Sequence, residues 1–302
     1  MKKFILLVLM LFAASVFSKQ IVLSEDNTLV LNESFNKNSI TSLISQAKEL
    51  DSSLESDYPI YLVLNTPGGS IQAGLELFEF LRGINRPVHT ITLFAASMGF
   101  QTVQNLGKRY IVKYGVLMSH YARGGSSGNF GGTDMPSNKK SYDKLWQRRI
   151  DMLDQKTVER TNEKQTLDSY RKAYSFDLWL NGQEAVNQGY ADEVVTVRCN
   201  ETLQGTREEE VETLLFTISA VFSKCPLITT PLSIEAILFT NKGKVSLKDF
   251  IRNGGVFGET ECKENSTCLI NPNLRLEDVQ KAVNEKEEFF NRNLEDFIDY
   301  SY

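Results

Sequence analysis

The stretch Phe94-Ala95-Ala96-Ser97-Met98-Gly99-Phe100 decides how the rest of the chain is interpreted. It follows an apolar, β-branched run at 88–93 and precedes a segment with helical character. A serine among small residues at a strand-to-helix turn is how several hydrolase folds expose a nucleophilic hydroxyl, with the next backbone amides pointing into the site. Serine is also a common helix cap. Taken alone, the stretch leaves both interpretations open.

Strand-like and helix-like segments alternate on both sides of this stretch. A buried strand at 60–64 runs into the turn Asn65–Ser70, and Ile71 starts the apolar face of a helix. The alternation predicts an α/β domain with a largely parallel sheet. Further short strands are expected at 20–23, 29–31, 110–112, 116–119 and 194–197.

Length and composition suggest one domain with an appendage, or two domains. The chain has 302 residues, of which 41% are hydrophobic, and the composition shifts after Cys199. We therefore expect one domain over 19–198 and a small, mostly helical appendage over 199–302, ending in a polar helix from residue 271. The net charge is −5 and no dense basic patch is present, which argues against a nucleic-acid partner.

The N-terminus has the pattern of a signal peptide. Lys2-Lys3 is a basic start, and residues 4–17 form an apolar run that is short for a membrane span. We expect cleavage after Ser18, so that residues 1–18 are removed and the protein is exported, either periplasmic or secreted. The alternative is an uncleaved N-terminal membrane anchor.

Four cysteines lie in the last third of the chain: Cys199, Cys225, Cys262 and Cys268. Export favours disulfides, and four cysteines allow three pairings. We expect the pairs that are near in sequence, Cys199–Cys225 and Cys262–Cys268. The chain has no C-x-x-C and no histidine after residue 120, which argues against zinc. No metal or cofactor is predicted.

A nucleophilic serine needs a base, and the chain has two histidines, His89 and His120. His89 lies inside the strand that leads to Ser97 and is interpreted as an ordinary strand position. His120 ends a strand and is followed by a Gly-rich loop, the kind of place where catalytic groups collect in α/β folds. A purely structural role for His120 also stays open.

The pair Gly68-Gly69 lies between a buried strand and a helix. Such a turn can point free amides at developing negative charge, although it can equally be a simple tight turn. A phosphate-binding loop is disfavoured, because no Gly-Lys-Ser/Thr follows.

Four segments, in order, resemble the motifs of the ClpP family of serine peptidases. The family patterns are N-S-P-G-G, A-A-S-M-G, M-I-H-x-P-x-G-G and D-R-F-x-S-A-x-E-A-x-x-Y-G-x-x-D. The matching segments are Asn65-Thr66-Pro67-Gly68-Gly69-Ser70-Ile71, Ala95-Ala96-Ser97-Met98-Gly99, Met118-Ser119-His120 with Gly124-Gly125, and residues 177–192. The resemblance covers residues 60–197 and does not reach the C-terminal third. It implies a ClpP/crotonase-like spiral of ββα units.

Carried over position by position, the resemblance makes Ser97 the nucleophile, His120 the base and Asp177 the acid that orients it. The amides of Gly68 and Met98 would form the oxyanion hole. Gly69, Gly124 and Gly125 would bind the substrate strand.

Three departures qualify this carry-over. Phe94 and residues 121–123 differ from the family pattern beside the serine and the histidine. An exported protein also has no ATP supply, which argues against the ATP-driven unfoldase that usually serves the family. A homo-oligomer is expected, and the resemblance implies that a ring built through the helix at 141–163 is one possible assembly.

The predicted function is a serine endopeptidase that cleaves peptides or unfolded, exported proteins without ATP. Three alternatives stay open. The first is a peptidase of the signal-peptide-peptidase A type with a serine–lysine dyad, against which His120 and Asp177 argue. The second is a crotonase-type acyl-CoA enzyme. The third is a non-catalytic binding or assembly protein on the same scaffold.

Overall fold

The computed structural model describes residues 19–53, 58–122, 135–212, 216–240 and 243–252. The chain divides into two compact units, with the boundary between Leu203 and Gln204. This boundary lies slightly beyond the one expected at residue 199. The expected signal peptide, Gly124, Gly125, the Cys262–Cys268 pair and the helix from residue 271 lie outside the described residues.

The first unit alternates strands and helices along the chain. Its strands are β1 (Gln20–Leu23), β2 (Thr28–Leu31), β3 (Ile60–Thr66), β4 (Val88–Ala96), β5 (Arg109–Ser119), β6 (Leu178–Asn181) and β7 (Glu193–Cys199). Its helices are α1 (Lys37–Ser53), α2 (Ile71–Gly83), α3 (Met98–Asn105), α4 (Met135–Glu159), α5 (Leu167–Tyr174) and α6 (Gly182–Gln188).

The strands form one sheet in the order β1-β7-β5-β4-β3-β2, with β6 paired to β5 outside this path. Every pairing along the path is parallel, and β6 runs antiparallel to β5. The predicted α/β domain with a largely parallel sheet is therefore confirmed.

Strand β5 has three partners. Strand β4 pairs with both of its halves, β7 pairs with its first half at Tyr110–Val112, and β6 pairs with its second half at Val116–Ser119. The two short strands expected here are thus one strand. Its register against β4 shifts at residues 113–115, because Thr92 pairs with Ile111 whereas Phe94 pairs with Val116.

The core of the first unit lies between one face of this sheet and the helices. Ile60, Leu62 and Leu64 of β3 alternate along the strand and are fully buried in the main apolar cluster. Burying a side chain of this size contributes about 1.5–3 kcal/mol. The cluster also contains, from the helices, Ile40, Leu43, Ala47, Leu77, Phe78, Leu81, Phe100, Val103 and Tyr170.

An ion pair between a buried arginine, Arg109, and a partly exposed aspartate, Asp192, fixes the start of β5 to the turn before β7. Arg109 is 2% exposed, its amide donates to Asp192 Oδ2 at 2.8 Å, and its Nε donates to Oδ1 at 3.1 Å. Burial by itself would raise the pKa of Asp192, but the hydrogen bonds and charge of Arg109 outweigh it and hold that pKa below its ordinary value. The pair therefore stabilises the fold at neutral pH, and this contribution is lost as the pH falls through the lowered pKa.

The second unit contains an antiparallel sheet in the order β11-β10-β9-β8. Its elements are β8 (Thr206–Glu212), β9 (Phe216–Ser223), β10 (Ser233–Thr240), β11 (Gly243–Ser246) and the short helix α7 (Leu247–Arg252). The expectation of a mostly helical appendage is wrong for its described part. Central strand β9 is paired on both edges, and a single sequence does not reveal such long-range pairing.

The expected Cys199–Cys225 disulfide is present. Among the described residues, no helix is both long enough and apolar enough to cross a membrane.

Replacing Asp192 tests the ion pair with Arg109. We expect Asp192→Asn to lower the free energy of unfolding by about 1.5–2 kcal/mol, because the buried Arg109 guanidinium loses its counter-charge, while water screens part of the interaction at the 34% exposed Asp192 side chain. Urea denaturation at neutral pH measures the loss.

The matched control is Glu79→Gln, which removes an ion pair with Arg82 whose two side chains are 70% and 39% exposed. Exposed pairs are worth at most about 1 kcal/mol. Equal losses in the two variants would contradict a special role for Asp192.

Candidate active site

Ser97 forms the turn between β4 and α3, and its backbone has the unusual angles φ 54° and ψ −114°. It occupies the cap position of α3, but its side chain makes no capping hydrogen bond. The helix-cap interpretation therefore does not explain this serine. Non-glycine residues in such conformations cost about 1–3 kcal/mol and concentrate at functional sites.

Backbone hydrogen bonds hold the turn in this conformation. The Ser97 amide donates to the Met118 carbonyl at 2.8 Å, and the Ser97 carbonyl accepts from the Gln101 amide at 3.1 Å. The turn is thus fixed both to the end of β5 and to the first turn of α3.

Gly68 lies directly against the Ser97 turn. A Cβ added to Gly68 would be 2.6 Å from Ser97 Cβ and 2.7 Å from Met98 N, and its φ is +94°. Both the space and the backbone conformation therefore require glycine here. The two amides expected to bind an oxyanion belong to adjacent pieces of backbone.

These two amides differ in their present partners. Within the described residues, the Met98 amide at the start of α3 has no hydrogen-bond acceptor. The Gly68 amide donates to Thr66 Oγ1 at 3.2 Å, and that hydroxyl donates to the Glu33 carbonyl at 2.7 Å. The Met98 amide is therefore available to an oxyanion beside Ser97, whereas the Gly68 amide already makes a long hydrogen bond.

The sheet register brings His120 and Asp177 to the same place. The antiparallel pairing of β5 with β6 ends with Ser119 opposite Leu178, so that His120 follows the end of β5 and Asp177 precedes the start of β6 at the same edge of the sheet. Asp177 has a positive φ of 55°, so the strand pairing does not continue through it. Both residues are half-buried.

The same register brings Ser97 to this end of the sheet. Ala96, the last residue of β4, pairs with Met118 of β5, so Ser97 follows beside Ser119. His120 comes one residue later. The three side chains named from the sequence therefore come from adjacent strand ends.

His89 lies at the other end of β4 and has a different environment. It contacts the rings of Tyr61 and Tyr110, and its Nδ1 accepts from the Lys108 amide at 3.1 Å. Burial lowers the pKa of His89. Of the two histidines in the sequence, only His120 lies at the Ser97 end of the sheet.

Gly69 pairs with Phe35 through a parallel bridge. The Phe35 amide donates to the Gly68 carbonyl at 2.7 Å, and the Ser70 amide donates to the Phe35 carbonyl at 2.8 Å. The N–H and C=O of Gly69 itself therefore point away from Phe35, since ladder groups alternate.

Aromatic side chains beside the site were missed from the sequence. Phe94, noted only as a departure from the family pattern, lies with its ring 6.4 Å from that of Trp179. Trp179 pairs with Met118 and is 42% exposed. Tyr121, next to His120, packs edge-on against Tyr174 at 4.8 Å. The feature of the sequence that could have identified these aromatic side chains is their position next to motif residues.

Comparison with known proteins identifies the family to which this chain is similar. The Clp protease family matches residues 13–198. The chain is 31% identical over 176 residues to the ATP-dependent Clp protease proteolytic subunits of Streptococcus pyogenes serotype M5 (strain Manfredo) and Streptococcus equi subsp. equi (strain 4047). Each match covers 57% of this chain and 86% of the relative.

Replacing Gly68 tests the close approach at the turn. We expect Gly68→Ala to lower the free energy of unfolding by about 1–3 kcal/mol, since the new methyl group must displace the Ser97 turn and the residue must keep a positive φ. Thermal or urea unfolding measures the change.

Gly83→Ala is the control, because a Cβ there meets nothing within 4 Å. Gly83 is the last residue of α2, and alanine is expected to be neutral or slightly stabilising. If both variants unfold alike, the proposed crowding at Gly68 is wrong.

Proposed function

Because the chain belongs to the Clp protease family, we propose that it is a serine endopeptidase that cleaves peptides or unfolded, exported proteins through an acyl-enzyme. The observation that carries the proposal is the turn at Ser97. Its side chain caps no helix, its backbone is strained, and Gly68 lies against it. A serine held in this way is favourable for nucleophilic attack.

The proposed chemistry uses three side chains. Ser97 Oγ attacks the peptide carbonyl while His120 takes its proton and later gives it to the leaving amine. Asp177 orients the imidazole and stabilises the imidazolium. Water then attacks the ester carbon while His120 takes a proton from it, and His120 gives that proton to Ser97 Oγ as the acyl product leaves.

The amides of Gly68 and Met98 are proposed to stabilise the tetrahedral oxyanion. Their adjacent positions and the unoccupied Met98 amide support this. Losing one such donor typically costs about 10²–10³ in rate. The outward-facing backbone of Gly69, together with Gly124 and Gly125, would pair with the substrate strand.

We propose that the protein works without ATP. The streptococcal relatives are named as subunits of an ATP-dependent protease. The basic and apolar N-terminus of this chain has the pattern of an export signal, and an exported protein lacks ATP. Short peptides and chains that are already unfolded are then the accessible substrates.

Replacing the nucleophile tests the proposal. We expect Ser97→Ala to abolish both covalent labelling by a fluorophosphonate and cleavage of a peptide library, because both need an activated serine. Mass spectrometry should place the label of the wild type on Ser97. The control is Ser42→Ala on the exposed surface of α1, which should keep both signals.

Replacing the base separates the proposal from its rivals. His120→Ala should lower peptide cleavage by about 10³-fold or more. Full activity in this variant would favour a serine–lysine dyad. A wild type that takes no label and cleaves no peptide, yet retains a stable partner, would instead indicate a binding or assembly protein.

Export and assembly can be measured together on the mature protein. We expect the exported chain to begin at Lys19, because cleavage after Ser18 fits the signal-peptide pattern. We also expect it to sediment as a homo-oligomer. Intact mass and analytical ultracentrifugation check both, and an unprocessed chain retained in the cytoplasm or a monomer would contradict the corresponding part.

A further inference from the structure

A hydrogen-bonded chain of four side chains lies behind the Ser97 turn. The Thr157 hydroxyl of α4 donates to Gln101 Oε1 of α3 at 3.2 Å, and Gln101 Nε2 donates to the Tyr170 hydroxyl of α5 at 3.2 Å. The Tyr170 hydroxyl lies 2.8 Å from Ser119 Oγ at the end of β5. Thr157, Tyr170 and Ser119 are buried, and Gln101 is half-buried.

The hydroxyl of Tyr170 takes part in two hydrogen bonds. An amide nitrogen can only donate, so the Tyr170 oxygen is an acceptor for Gln101. Its phenolic proton remains available for the pair with Ser119 Oγ, in which either hydroxyl can donate. Burial raises the pKa of Tyr170 far above its ordinary value, so the hydroxyl keeps this proton at any working pH.

Ring contacts fix the Tyr170 side chain in place. Its ring stacks on Phe100 at 6.2 Å and packs edge-on against Tyr174 at 4.8 Å. Its hydroxyl is therefore held in a fixed position at the end of β5, where it pairs with Ser119.

The elements joined by this chain are the ones that carry the three proposed catalytic residues. Ser119 directly precedes His120, and the Gln101 amide donates to the Ser97 carbonyl. Helix α5 ends at Tyr174, whose carbonyl accepts from the Asp177 amide at 3.1 Å. We propose that Tyr170 is a positioning residue, whose hydrogen bond to Ser119 holds His120 in line with Ser97. This role rests on the proposed peptidase activity.

The neighbouring Tyr190 provides a comparison for the Tyr170 hydroxyl. It shows that a tyrosine ring can pack in this cluster whether or not its hydroxyl has a hydrogen-bond partner among the described residues. Its ring lies 5.8 Å from that of Tyr170 and is fully buried in the same cluster. Its hydroxyl is also buried, but has no hydrogen-bond partner among the described residues. In addition, Ser119 stands where the family pattern M-I-H has isoleucine, so the hydroxyl pair is a feature of this chain.

The test compares Tyr170→Phe with Tyr190→Phe in the mature, full-length protein. We expect Tyr170→Phe to lower kcat for a peptide substrate and the rate of fluorophosphonate labelling by about 10–100-fold, because a misplacement of about 1 Å has this effect. KM should stay within about twofold, since the residue touches no substrate. Tyr190→Phe, which removes a buried hydroxyl without a partner, should keep the wild-type values.

Ser119→Ala is the second variant, and it decides the question if Tyr170→Phe does not fold. It should lose as much kcat as Tyr170→Phe, and the double variant should lose no more, because both remove one interaction. Wild-type kcat in Tyr170→Phe or in Ser119→Ala, or a loss shared by Tyr190→Phe, would overturn the role of Tyr170. A wild type that takes no label would instead overturn the proposed peptidase and this role with it.

Discussion

Strand β5 is the element on which the first unit and its candidate site depend. Its start is held to the turn before β7 by the ion pair of the buried Arg109 with Asp192, and its pairing changes from β7 in the first half to β6 in the second half. If β5 lost its pairing with one of these strands, a row of backbone hydrogen bonds in a buried sheet would be lost. Each backbone group left unpaired there would cost free energy of folding. The same pairings set where Ser97, His120 and Asp177 lie. Stability and the proposed chemistry therefore depend on one strand.

The fold class could be predicted, and candidate site residues could be named, because their signals are local. The turn Asn65–Ser70, the stretch around Ser97 and the segment at His120 each combine a strand end with a short motif. The glycine at position 68 also belongs to a local motif. The reason that glycine is required there, however, depends on a contact with a distant segment. Only the sheet shows that the Gly68 backbone lies against Ser97.

Features that depend on pairing between distant segments could not be predicted. Tyr170 and Ser119 are 51 residues apart in sequence, so no local pattern links their hydroxyls. Neither residue stands out in the sequence as a polar group with a particular role. The sheet of the second unit is a similar case, because an apolar run such as Phe216–Ser223 does not show by itself whether it becomes a helix or a strand. In the sequence, Asp192 is visible only as the last residue of a motif. The structure shows that it pairs with Arg109, which explains why a carboxylate is needed there.

The register shift in β5 has a consequence for how such a site can be inherited. Residues 113–115 separate the half of the strand that pairs with β7 from the half that leads to His120. Losing one residue from this short insertion would turn every later side chain of β5 to the opposite face and carry the histidine away from the serine. Substitutions at Lys113 or Tyr114, both exposed, leave that alignment intact. Substitutions in this segment are thus expected to be tolerated more readily in evolution than insertions or deletions.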